Sequence, residues 1–386
     1  MKKLKYSISA AILSLLAPFA LVSCGDEPDN DKEDEPVGRT VLVYMVANNS
    51  LGQVGYDQMD IEEMKKASLA GDIKDGRLIV YCSDVKGDVT LNEVKDGELV
   101  TLKTYDNSAL SVESSRMREV IADTKRLAPA DDYGLILWSH GSGWLVDGIE
   151  ETDPATPSAQ SFGEDGRKRM NVSTLARALK GEDFGFIYFD CCLMGSIEVV
   201  YELQGCADYI VASPTELPVY GMPYDENIKY FFNPTPDLVK AAKSTFDSYN
   251  TPGVSSVNWC TMAVYDMKSV ARLVDATKAV YSVSEIGFPD GYQPQRYSDE
   301  PVCYYYDFVD YVNALTVDKS LLDEFNAAAS VAVIYHDETP MLFNVVKLEH
   351  CNGFATYIMR NHDDNRKNYK STSWYRDVVS LLKPQN

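Results

Sequence analysis

Five short runs of uninterrupted apolar residues constrain this chain more than anything else in it. They are Thr40 to Ala47, Leu78 to Cys82, Tyr133 to Trp138, Phe186 to Phe189 and Tyr209 to Ala212. None alternates with polar residues, so each reads as a strand covered on both faces. Helical patterns fall between them, over Asp57 to Ala70, Ser114 to Arg126, Val172 to Leu179 and Gly195 to Leu203. Strands alternating with helices require crossover connections and a mainly parallel sheet, hence an α/β fold built as an α/β/α sandwich. In such sheets, ligand and catalytic sites form in the loops at the carboxyl ends of the strands.

The flanks are of other kinds. Met1 to Ser23 carries Lys2, Lys3 and Lys5 ahead of an apolar stretch, Ala10 to Val22, that is short for a membrane span. This is the pattern of a secretory leader. Leu21-Val22-Ser23-Cys24 resembles a bacterial lipobox, which would make Cys24 the lipidated mature N-terminus. The expectation is a protein of the bacterial cell envelope, lipid-anchored to the outer membrane and so partnered with a membrane through Cys24. Residues 24–38 are acidic and almost without apolar side chains, and read as a flexible tether. The folded part is expected as a core over 39–235 and a C-terminal continuation or subdomain over 236–386. In the latter, helices over Leu238 to Tyr249 and Met267 to Val283 accompany short strands near Thr261 to Tyr265, Val331 to Tyr335 and Gly353 to Ile358. Gly148 to Met170, polar and aperiodic, reads as a long surface loop.

A formal charge of −22, more negative still without the leader, argues against nucleic acid as a partner. Four His with no HExxH, and eight Cys with no CxxC, speak against a zinc site. A serine hydrolase is excluded by the lack of a G-x-S-x-G elbow.

Two strand ends carry chemistry. In LILWSHGSGW, a buried strand delivers His140 into a glycine-rich turn, with Gly141 directly after it. In FIYFDCCLMG, another ends in Asp190-Cys191-Cys192. A helix starting there would favour the thiolate through its dipole. Two buried Cys can equally pack as small apolar groups. If the strands are parallel neighbours, His140 and the Cys pair meet at one rim of the sheet, as a nucleophile and base would.

Those two segments resemble the clostripain-like cysteine peptidases, peptidase family C11 of the caspase-like clan. LILWSHGSGW is similar to that family's LILW-x-HG-x-GW, and FDCCLMGSIEVVYEL to its FDACLM…EVAYEL. YIVAS, MPYD, YYYDFVDYV and NGFATYIMR resemble weaker landmarks downstream. The resemblance spans roughly Thr40 to Arg360. It implies a caspase-like sandwich, a nucleophile at Cys192 with inert Cys191 beside it, and a catalytic His140. It implies an oxyanion hole from the N–H groups of Gly141 and Cys192. It also implies Asp190 as the substrate-binding carboxylate of the P1 pocket, although from position alone Asp190 could instead cap the following helix. The implied partners are protein or peptide substrates with basic residues. No cofactor is required by the resemblance. Calcium serves some members, and Glu150, Glu151, Asp153, Glu164 and Asp165 would be its ligands here, if they are not simply a solvated acidic loop. Arg167, Lys168 and Arg169 offer sites for self-cleavage. The chain departs from the family at Ser213-Pro214-Thr215-Glu216 and Gly221-Met222-Pro223-Tyr224, a wall of the expected cleft. Retention of His140, Gly141, Asp190 and Cys192 favours an endopeptidase over the alternative, a catalytically silent surface-binding lipoprotein.

Overall fold

All five apolar runs become strands, and they lie side by side. In chain order the strands of the main sheet are β1 (Val37–Val46), β2 (Gly76–Ser83), β3 (Val89–Lys95), β4 (Glu98–Thr104), β5 (Ala130–Trp138), β6 (Phe184–Asp190), β7 (Ala207–Ala212), β8 (Thr261–Asp266) and β9 (Val333–Glu338). Their spatial order is β9-β8-β7-β6-β5-β1-β2-β3-β4. The run β2-β1-β5-β6-β7 is parallel throughout. The pairs added on either side are antiparallel. The computed structural model describes residues 36–145, 162–251, 257–288, 291–359 and 369–384, with the backbone of 150–151. The expected leader, Cys24 and most of the acidic tether lie outside the described residues, as does Asp153.

Successive side chains of a strand point to opposite faces, and here both faces are buried. Leu42, Tyr44 and Val46 of β1 enter one core, Val41, Val43 and Met45 the other. Helices α2 (Tyr56–Leu69), α6 (Tyr224–Phe231) and α7 (Leu238–Asn250) cover the second. Helices α3 (Ser114–Leu127), α4 (Val172–Leu179), α5 (Ile197–Glu202) and α8 (Met267–Val283) cover the first. A five-residue helix α1 (Ser50–Val54) links β1 to α2. The result is the mixed α/β sandwich around a mainly parallel sheet that the apolar runs require.

The structure adds one element, changes one expectation and narrows another. The β3–β4 hairpin belongs to the main sheet although neither strand is an unbroken apolar run. Its signal is the dipeptide Asp96-Gly97, at φ +52° and +78°, the left-handed pair of a tight hairpin turn. Gly148 to Met170 is not all surface loop: Phe162–Asp165 pairs antiparallel with Lys168–Met170, and Phe162 and Met170 are fully buried. Two buried apolar anchors hold the hairpin even though the segment lacks periodicity. The third concerns Gly353 to Ile358, which supplies only the two-residue strand Ala355–Thr356, paired with Tyr306–Asp307 away from the main sheet. Among the described residues no helix is long and apolar enough to cross a membrane. Seven thiols there are free.

Candidate active site

The register of β5 on β6 sets the site. Trp138 and Asp190 are Cα partners in parallel strands. Two residues further along each strand come His140 and Cys192, so both leave the same rim of the sheet side by side. Both line one cavity of about 50 Å³, together with Leu51, Ser139, Asp190, Leu217 and Gly221. Ser139 fastens the end of β5 to the end of β1, its hydroxyl donating to the Val46 carbonyl at 2.8 Å. Asn49 donates to the same hydroxyl at 3.2 Å.

His140 is half-buried, with Nε2 2.8 Å from the Ser50 hydroxyl at the head of α1. Burial lowers its pKa, with Arg169 acting in the same direction against Glu164. Gly141 rests directly on the thiol's backbone: a β-carbon there would lie 2.4 Å from the Cys192 carbonyl oxygen. No residue larger than glycine fits without moving that turn.

Cys191 turns into the first core and is 4 % exposed. Cys192 faces the cavity. Its sulfur accepts from the Leu217 N–H at 3.3 Å and reaches the Leu217 carbonyl at 3.6 Å. The expected activation by a helix dipole is not present. The chain turns through residues 191–194, α5 starts only at Ile197, and its cap is Ser196. Burial instead pushes the Cys192 thiol up to about 12, and the charges of Glu216 and Asp190 add to this. Leu193, next in sequence, holds φ +65°, a conformation costly for a branched side chain. Its N–H donates to the Thr215 carbonyl at 2.8 Å, and Gly195 N–H to that of Ser213 at 2.8 Å, so segment 213–217 splints the thiol turn.

Asp190 is 6 % exposed and does not cap α5. One carboxylate oxygen accepts from Met222 N–H and the other from the Tyr224 hydroxyl, both at 3.1 Å. Gly221 closes over it, since a β-carbon there would lie 2.8 Å from both oxygens. The departing segment 214–222 thus forms a wall of the cavity through Leu217, Pro218, Val219 and Gly221. Sequence reasoning missed Ser50 and Leu193, and placed Tyr224 in the cleft wall without its bond to Asp190. It also missed Asp60, which accepts from Trp138 Nε1 at 2.6 Å.

Among the described residues no group of three or more His, Cys, Asp or Glu is placed to hold a metal ion. Of the candidate calcium ligands, Glu164 is ion-paired with Arg169 at 2.7 Å. Asp165 is bound by Asn48 and by the Ser111 N–H, each at 2.8 Å. These two do not fit a calcium site, and the side chains of Glu150 and Glu151 lie outside the described residues. In the basic run, Arg167 is exposed while Lys168 and Arg169 are half-buried.

A mainly parallel α/β sandwich with a His and a Cys leaving one rim is the arrangement of the caspase-like class of cysteine peptidases. Comparison with known proteins makes this specific. The chain belongs to the clostripain family, whose model (Peptidase_C11) matches residues 43–382. It is similar to an inactive zymogen C11 protease from Parabacteroides distasonis, at 27% identity and TM-score 0.76, over 89% of this chain and 99% of that one. It is similar to a secreted C11 cysteine protease from Bacteroides thetaiotaomicron in complex with an irreversible peptide inhibitor, at 27% identity and TM-score 0.74, over 88% and 99%. A clostripain from Bacteroides thetaiotaomicron ATCC 29148, in complex with the peptide inhibitor BTN-VLTK-AOMK, aligns over 56% of this chain and 97% of that one, at 25% identity and TM-score 0.50. No curated protein matches.

Proposed function

We propose that this chain is an exported endopeptidase that cleaves after Arg or Lys, with Cys192 as nucleophile and His140 as its acid–base partner. The observation that carries this is the Trp138–Asp190 register, from which both side chains leave one rim and line one cavity. The thiol is neutral in the free protein and the imidazole is held toward its neutral form. A scissile carbonyl in the cavity is attacked by the Cys192 sulfur, and the thiol proton passes through His140 to the leaving amine. The C–N bond breaks and a thioester remains, which water then hydrolyses. The N–H groups of Gly141 and Cys192 are the donors for the oxyanion. Asp190, beside the thiol, meets the basic P1 side chain. The inhibitor peptide borne by the B. thetaiotaomicron clostripain ends in Lys, which supports this preference. Export is supported by the secreted relative and by the leader pattern, with Cys24 as the lipid anchor to the cell envelope.

The test is a peptidyl acyloxymethyl ketone with Arg at P1, incubated with folded, reduced protein and followed by peptide mass mapping. A covalent adduct on the peptide containing Cys192 is expected. Its absence, with the protein folded, would favour the silent binding module.

A further inference from the structure

The face of α2 that packs on the strand ends is acidic. Asp57, Asp60 and Glu63 recur every third residue and so share one side of the helix. Asp57 and Asp60 are 3 % and 4 % exposed. Buried carboxyls are rare unless paired, yet among the described residues no lysine forms an ion pair with Asp57 or Asp60. Lys65 of the same helix holds Glu62 at 2.8 Å, and Lys66 reaches Asp225 at 3.8 Å. Asp57 Oδ1 is buried with no hydrogen-bond partner among the described residues.

Asp60 and Asp190 converge on Trp138. Asp60 Oδ2 accepts from Trp138 Nε1, and Trp138 is the register partner of Asp190 on the neighbouring strand. Asp190 receives two donors, Met222 N–H and Tyr224 O–H, whereas Asp60 receives the indole alone. Donors stabilise the anion, so Asp190 carries the charge and the proton of the pair resides on Asp60. Burial pushes both carboxyls up. Asp190 raises Asp60 further, with Glu63 and Asp57 of its own helix acting in the same direction. From the other packed elements, the groups around the pair are the phenols Tyr188 (β6), Tyr224 (α6) and Tyr249 (α7), and the Cys192 thiol. All are neutral near pH 7. The floor of the cleft therefore has an excess of acceptors and, among the described residues, no resident cation.

We infer that Asp60 is a specificity-determining residue: with Asp190 it forms a one-proton carboxyl pair beneath the cleft, and a basic substrate side chain entering there expels that proton. This rests on the reading that Asp190 meets a basic P1 residue. The Asp60 O–H bond breaks, the proton passes to solvent, and no bond of the substrate changes. Release of one proton makes basic-P1 binding tighten by about tenfold per pH unit while the pair is still protonated.

Calorimetry on the Cys192→Ala protein tests this, with one peptide carrying Arg at P1 and a matched peptide carrying Leu. Each is titrated at pH 7 in phosphate and in Tris, whose ionisation heats differ, and again at pH 6. The Arg peptide is expected to release about one proton and to bind about tenfold more weakly at pH 6. In Cys192→Ala/Asp60→Asn the amide oxygen still accepts from Trp138, but proton release should fall toward zero and the pH slope should flatten. Arg binding without proton release, or with equal release in both proteins, would overturn the Asp60 pair. Preferential binding of the Leu peptide would overturn the basic-P1 reading itself. If the Asp60→Asn protein fails to fold, the proton count with Asp60 present decides alone.

Discussion

At the scale of single residues, adjacent cysteines have been given opposite environments by the turn that follows β6. Cys191 points into the first core, where burial pushes its thiol well up, and Cys192 points into the cleft. Removing a covalent nucleophile costs several orders of magnitude in kcat, while trimming a small buried side chain costs mainly stability. Cys192→Ala should therefore abolish turnover of an Arg-P1 fluorogenic peptide, and Cys191→Ala should keep most of it with a lowered Tm. The reverse ranking would remove Cys192 as nucleophile. The pair His140 and Cys192 was legible in the sequence because both sit just past unbroken apolar strands. Asp60 was not, since its partner Trp138 is 78 residues away. Yet an acid every third residue on one helix face was visible, and its burial was the part that needed the fold.

At the scale of elements, α5 is tied to the C-terminal part of the chain by one carboxyl. Glu198 is fully buried and accepts from the Thr356 hydroxyl and Tyr357 N–H at 2.9 Å and from the Tyr369 hydroxyl at 3.0 Å. Burial pushes its pKa from 4.5 up to about 7. A raised folded pKa means that the folded state holds the proton more tightly than the unfolded one. The resulting stability is complete below pH 4.5 and is lost as pH rises through about 7. The size is about 3 kcal/mol. Urea unfolding at pH 5, 6.5 and 8 should show this loss, and Glu198→Gln should flatten it. An unchanged pH dependence in the variant would remove Glu198 as its source. The same scale shows where pattern reading ends. Continuous apolar runs gave the five parallel strands, because parallel strands are buried on both faces. The β3–β4 hairpin has one exposed strand and mixed residues, so only its Asp96-Gly97 turn announced it.

For the whole molecule, the described residues from Pro36 onward belong to one compact unit. A chain beginning at Asp34 should fold with the same Tm as the leaderless protein, within about 1 °C, by circular dichroism. In cells, Cys24→Ser should move the full-length protein from the membrane fraction to the soluble one. A variant that still sediments with membranes would exclude Cys24 as the anchor. The rim bearing His140 and Cys192 lies where β5 meets β6, several strands from either margin of the sheet. The margins themselves are β4, bearing Glu98 and Lys103, and β9, ending in His336, Asp337 and Glu338. Unpaired strand backbone invites other chains to add on, and charged side chains along it discourage this. A sheet with bare margins would be prone to polymerise strand to strand. The charged margins of this sheet work against such aggregation without touching the centre, where His140 and Cys192 sit.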